Sequence, residues 1–200
     1  MKITLSWLQE RDACQGGKKW FSNQDETHSI KIVDSLIQEK RYGWSNWLIC
    51  RLLTYKQTIL YVVFVTELVL DAYEQAKPND KRPRLAIEAA KQWVKNPTKE
   101  NRNTAYTAAH DAMAAANDAD ADDDDDIDAV ANAACVAANA AFIASCGVAD
   151  DTAINTPYAA NKATHTISHI TSYASDAELK KLQLKILTFG RDLLHEGTEY

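Results

Sequence analysis

Lys99 to Cys146 reads KENRNTAYTAAHDAMAAANDADADDDDDIDAVANAACVAANAAFIASC. The stretch holds no glycine or proline, and alanine recurs in it at three- and four-residue spacing. Ala105, Ala108, Ala109, Ala112, Ala115 and Ala116 share one helical face, and Ala134, Ala137, Ala138 and Ala141 share another. Alanine has the highest intrinsic helix propensity, so composition alone favours helix here. The periodicity predicts more: two helices, Lys99 to Ala116 and Ile127 to Cys146, seated on each other through small side chains. Such side chains let helix axes approach closely but contribute little apolar area each. The expected fold is therefore all-α, a compact multi-helix bundle whose C-terminal half depends on fit rather than bulk.

Between these two runs lies the most charged part of the chain. Asn117 to Asp128 holds eight aspartates (Asp118, Asp120, Asp122, Asp123, Asp124, Asp125, Asp126 and Asp128) and no positive charge. Residues 1–116 carry 17 Lys/Arg against 13 Asp/Glu, and residues 156–200 carry five of each, so the net charge of -6 is local. Packed carboxylates repel one another and resist burial. The segment 117–128 is expected as an acidic interhelix stretch facing solvent or a basic partner. Its alternating aspartates lack the glycine and terminal glutamate of a calcium-binding EF-hand loop.

Helical periodicity extends outward in both directions. Ile3 to Arg11 and Lys18 to Asn23 read as short helices around a Gly16-Gly17 turn, bringing Trp7 and Trp20 together. Ile30, Val33, Leu36 and Ile37 mark a helix ending near Lys40 and Arg41, and Trp44, Trp47, Leu48, Cys50 and Leu52 mark the next. Tyr55 to Ala76 is a long apolar helix. Arg82 to Val94 follows with Pro83 in its first turn, where a missing N–H costs nothing. Gly147 to Pro157 reads as a loop and Ala159 to Ala174 as a weaker helix. Ser175 and Glu178 form a capping box for a last helix to about His195. Two hundred residues at 46% hydrophobic suit a single helical domain, 1–200, with a sizeable core.

Three constellations outside the acidic run stand out. Asp80-Lys81-Arg82-Pro83-Arg84 precedes Glu88, and Arg84 with Glu88 is an i,i+4 pair. Two arginines in a first turn oppose the helix dipole, so an internal carboxylate such as Asp71 or Glu74, or an external acidic partner, is expected to use them. Glu67 interrupts the apolar helix, and a structural pair with Arg51 is expected. A ligand pocket and plain exposure are its other possible settings. His165 and His169 have i,i+4 spacing, but Thr166 stands where a zinc hydrolase has glutamate. A metal there would need a third ligand such as His110 or Cys146. Two surface histidines are the simpler reading, and no cofactor is expected.

The sequence carries no phosphate loop, nucleophile elbow or catalytic triad order, so no enzyme is expected. Direct nucleic-acid binding is disfavoured, because phosphates would meet the aspartates and the basic residues are scattered among carboxylates. The most apolar run, Ile59 to Val65, is well under membrane-spanning length. MKITLSWLQERDACQGG has no secretory pattern, and Cys14, Cys50, Cys135 and Cys146 form no C-x-x-C pair. Free thiols and a cytoplasmic location are the expectation.

Several of these segments also resemble a known family. Ala13-Cys14-Gln15-Gly16-Gly17-Lys18-Lys19-Trp20-Phe21 after Trp7 is similar to the opening of immunity proteins from bacterial polymorphic-toxin systems, a family also widespread in tailed phages. Trp44-Ser45-Asn46-Trp47-Leu48 with Arg51 extends the likeness. Asp80-Lys81-Arg82-Pro83-Arg84-Leu85-Ala86-Ile87-Glu88-Ala89-Ala90 carries it furthest, followed by Trp93 and Asn96-Pro97-Thr98-Lys99-Glu100-Asn101. The resemblance covers about residues 1–145. It implies an all-helical, non-enzymatic protein that neutralises a toxin or other effector by binding it. The continuous aspartate run departs from the family's alanine-rich pattern. It is expected to be a target-specific surface, such as a mimic of nucleic-acid charge that a phage directs at a host defence or transcription protein.

The resulting expectation is an immunity- or inhibitor-type protein that occupies a basic protein partner. Arg82, Arg84 and Glu88 would hold the helix junction that positions its acidic surface. The alternatives are a metal protein or enzyme centred on His165, His169 and helical carboxylates, and a self-associating structural helical protein.

Overall fold

The computed structural model describes residues 1–120, 127–146 and 176–196. These form helices α1 (Leu5–Glu10), α2 (Gln15–Phe21), α3 (Ser29–Gln38), α4 (Tyr42–Leu52), α5 (Tyr55–Ala76), α6 (Arg82–Lys95), α7 (Lys99–Asp120), α8 (Ile127–Cys146) and α9 (Asp176–Glu196). No strand occurs among the described residues; a lone antiparallel bridge joins Lys2 to His28. The fold is an all-α bundle.

α5 is the hub. It packs on α6, α8 and α9. A helix in contact with neighbours on several sides needs apolar residues almost all round. Ile59, Tyr61, Val62, Val65, Leu70 and Tyr73 are accordingly all at most 1% exposed. Its two buried threonines remain satisfied locally: the Thr58 hydroxyl donates to Thr54 O and the Thr66 hydroxyl to Val62 O. Thr54 and Gln57 form a capping box at the start of α5. The Gln57 amide then donates to Leu193 O at 2.6 Å, fixing this end against α9. Tyr55 donates to Ile143 O on α8 and meets Trp93 of α6 edge-on at 5.6 Å.

The alanine helices pack as their periodicity predicts. Ala105, Ala109, Ala112, Ala115, Ala116 and Ala119 of α7 are buried, as are Ala134, Ala137, Ala138 and Ala141 of α8. Among the described residues α7 and α8 share the most extensive helix–helix contact, and α6 packs on both. The other half is filled by bulk instead. Phe64 of α5 stacks on Phe189 of α9 at 3.9 Å, and Ile32, Val33 and Leu36 of α3, Ile49 of α4 and Ile186 and Leu187 of α9 are buried.

Two helix boundaries differ from the sequence reading by more than two residues. Gly16 and Gly17 lie inside α2, because the Cys14 sulfur accepts the Gly17 N–H at 3.3 Å and starts the helix ahead of them. The reversal falls instead at Asp12, whose φ of 56° is left-handed. α7 runs past Ala116 to Asp120, because Ala119, 1% exposed, continues its buried face. Asp118 and Asp120 therefore project from a helix, and Ile127 and Asp128 belong to α8. Residues 121–126, with Asp122 through Asp126, lie outside the described residues, as do the predicted 147–157 loop and 159–174 helix. No helix among the described residues is long and apolar enough to cross a membrane.

Candidate functional site at the α5–α6–α7 junction

Two ion pairs bind α6 to α5, a third binds α6 to the turn before it, and one contact extends the system to α7. Asp80 lies in the turn between α5 and α6. Its carboxylate accepts the Arg82 N–H at 3.0 Å and the Arg82 guanidinium at 2.7–3.1 Å. The Tyr73 hydroxyl donates to the same carboxylate at 2.6 Å. With so many donors the Asp80 carboxyl is held well below its ordinary pKa, Arg82 contributing most. Burial, reinforced by Asp80, pushes the Tyr73 phenol well above its usual value. Arg82 then reaches out of the turn: its Nη2 is 2.7 Å from Asp118 Oδ2 on α7.

Further along, Arg84 makes a two-pronged contact with Glu74, 2.9 and 2.7 Å. Lys91 sits 2.6 Å from Glu67 and 3.2 Å from Glu88. Glu67 and Glu74 are seven residues apart on α5, as Arg84 and Lys91 are on α6. Two antiparallel helices with the same two-turn spacing bring both pairs into register. Arg84 and Lys91 are held in their charged forms, by Glu74 and Glu67 respectively, as the leading causes.

The predicted site residues thus divide. Glu74 is the internal partner for the first-turn arginines that the sequence suggested, but it takes Arg84 alone. Glu88 pairs with Lys91 rather than Arg84, because Glu74 already occupies both prongs of the guanidinium. Glu67 does not pair with Arg51. It is exposed on the α6 side of α5 with Lys91, whereas the Arg51 guanidinium lies 4.3 Å over the Trp47 ring on its own helix. Lys91 was missed from sequence, although the matched seven-residue spacing was its signal.

Beside this junction α6 and α7 leave an open groove of about 730 Å³, lined by Arg82, Leu85, Glu88, Gln92, Thr104 and Asp111 among others. Leu85 is 59% exposed there, and Tyr106 and Met113 of α7 are also exposed. His110 sits on the exposed side of α7 with its ring against Tyr106. Among the described residues no group of three His, Cys, Asp or Glu side chains has metal-binding geometry. His165 and His169 lie outside the described residues. Cys14 is exposed and Cys50 buried. Comparison with protein-family models, with curated proteins and with solved structures finds no match.

Proposed function

We propose that this chain is a non-enzymatic binding protein of the immunity or inhibitor type, which neutralises a protein with a basic surface by occupying it stoichiometrically. The observation that carries this reading is the Arg82 bridge. It ties the last turns of α7, from which Asp118 and Asp120 project, to the rigid α5–α6 turn through Asp80. The acidic run that begins there accordingly has a fixed root. Asp118 keeps 67% of its side chain exposed despite the contact, so its charge still reaches solvent.

Dense negative charge accelerates encounter with a basic partner and penalises wrong ones. The exposed Leu85 and the α6–α7 groove offer apolar contact next to it, a combination suited to a protein partner. A partner that normally holds nucleic acid fits the charge pattern best, with the aspartates standing in for phosphates. Self-association through the same groove is the main alternative. A mass by light scattering that stays monomeric across a hundredfold range of concentration would set it aside.

The test is neutralisation of Asp122, Asp123, Asp124, Asp125 and Asp126 to asparagine. Partner affinity should fall at least tenfold with helicity unchanged. Unchanged affinity for an identified partner would refute the role of the acidic run.

A further inference from the structure

The N-terminal helices enclose a cavity that the acidic surface does not use. Its volume is about 180 Å³ and its lining is almost wholly apolar. The floor is buried and comes from four helices and the strand-like N-terminal segment: Ile3, Leu8, Phe21, Ile32, Leu36 and Leu48. The half-buried rings of Trp20, Trp44 and Trp47 form the wall towards solvent, where Asp12 and Cys14 are exposed. Among the described residues Asp12 is the sole charged one in the lining. Protein interiors are normally packed too densely to leave such a space.

The aromatic wall is held from outside the cavity, so nothing needs to fill the space to keep it open. The Trp20 Nε1–H donates to Glu39 Oε2 at 2.8 Å, and the same oxygen accepts from Arg41 Nε at 2.7 Å. Arg41 then lies 4.7 Å over the Trp44 ring. The left-handed residue Lys40 (φ 59°) turns the chain so that Glu39 and Arg41 both serve this chain of contacts. On its other edge Trp44 rests on Gly16, where an added Cβ would come within 3.1 Å. Arg51 covers Trp47 at 4.3 Å. Three indoles are thereby pinned around an apolar opening.

We propose that this cavity is a binding site for a small neutral aromatic molecule of one or two fused rings. An apolar cavity of about 150 Å³ accommodates benzene in other proteins, so this one takes a ring of that size or slightly larger. Stacked and edge contacts with Trp20, Trp44 and Trp47 give the preference for aromatic over aliphatic ligands. With Asp12 the only charge and no cation in the lining among the described residues, a neutral ring is favoured over an anionic one. The site is independent of the acidic run and of the α5–α6–α7 junction.

The test uses the 15N-labelled full chain and unlabelled indole, phenol and benzoate. Its five tryptophans, Trp7, Trp20, Trp44, Trp47 and Trp93, each give an indole N–H signal. Saturable shifts of the Trp20, Trp44 and Trp47 signals are expected with indole and phenol, with Trp93, remote on α6, unmoved. Benzoate should produce none. Ala13→Leu fills the space from a buried lining position and should weaken indole binding at least tenfold. If that variant does not fold, Leu48→Phe replaces it with the same expectation. Absence of saturation with both neutral probes would overturn the proposal. So would equal binding of benzoate, or undiminished binding by a folded cavity-filling variant.

Discussion

Arg82 Nη2 lies 2.7 Å from Asp80 Oδ2 and 2.7 Å from Asp118 Oδ2, joining residues 36 apart in sequence. The first of these contacts is local and well supported, since Asp80 also accepts the Arg82 backbone N–H and the Tyr73 hydroxyl. The second is exposed. An exposed pair is worth roughly 0–1 kcal/mol, whereas hydrogen bonds to charged groups with partial burial contribute about 1.5–3 kcal/mol. The two sides of the bridge should therefore separate by mutation. Arg82→Ala is expected to destabilise by about 1–2 kcal/mol and Asp118→Asn by no more than about 0.5 kcal/mol in urea unfolding. A large effect of Asp118→Asn would mean that α7 depends on this contact for its fold, not merely for its position.

Asp80 gives the junction a defined response to acid. Its carboxyl has a folded pKa below the unfolded value of about 3.9, so the unfolded chain binds the extra proton. The stabilisation is then complete above about pH 5 and is lost as pH falls through the folded pKa. Asp80→Asn should be less stable than wild type at neutral pH and converge with it in acid. Tyr73 has the opposite sense, because its neutral form is favoured and its pKa is raised. Its contribution is full below the unfolded value of about 10 and is lost in strong alkali. Tyr73→Phe should narrow the gap to wild type only there. Parallel stability curves for Asp80→Asn and wild type from pH 7 down to 2 would contradict the assignment.

Gly190 of α9 lies tight against Ile49 and Tyr61 in the bulky half of the core. A Cβ there would stand 2.8 Å from both Ile49 Cγ2 and Tyr61 Cε2. Neither neighbour can yield easily: both are 0% exposed, and the Tyr61 hydroxyl donates to Asn46 Oδ1 at 3.1 Å. Gly190→Ala should cost about 1–3 kcal/mol from overpacking, despite alanine's better helix propensity. Gly43, with nothing within 4 Å of its added Cβ, is the control. Gly43→Ala should leave stability unchanged or raise it by up to about 1 kcal/mol.

The alanine seam makes a similar demand. Ala137 of α8 is 0% exposed, so Ala137→Leu should destabilise by about 1–3 kcal/mol. Ala114, on the exposed side of α7, should accept leucine within about 0.5 kcal/mol. Thermal denaturation of the two variants side by side measures the difference. Equal stability would mean that α7 and α8 do not pack through these alanines.

The helices were readable because burial imposes a period that the sequence displays. Tyr55–Ala76 and Ile127–Cys146 have the predicted bounds, and the alanines placed on the inner faces are buried except Ala108, which is half-buried and lines the α6–α7 groove. The misreadings have local causes. Gly16-Gly17 has the composition of a turn, but a cysteine cap begins α2 before it. The aspartates after Ala116 suggested an early stop, yet Ala119 keeps α7's packing face going to Asp120. Charge pairing was harder, because a helix period gives the face of a residue and not its height against a neighbour. Glu67 and Arg51 looked compatible by composition. Only the antiparallel register of α5 and α6 selects Lys91 for Glu67 and Glu74 for Arg84. The cavity left no periodic signal at all. It is formed by residues from the N-terminal segment, α1, α2, α3 and α4 and held by Glu39 and Arg41 at a turn.

The most direct measurement is affinity capture from host lysate with the wild-type chain and the Asp122–Asp126 asparagine variant, each at low and high salt. Recovery of one stoichiometric, basic protein by the wild type at low salt, lost at high salt and lost with the variant, is the predicted result. A partner retained equally by both chains at both salts, or no partner in any of the four captures, would contradict the acidic-surface mechanism.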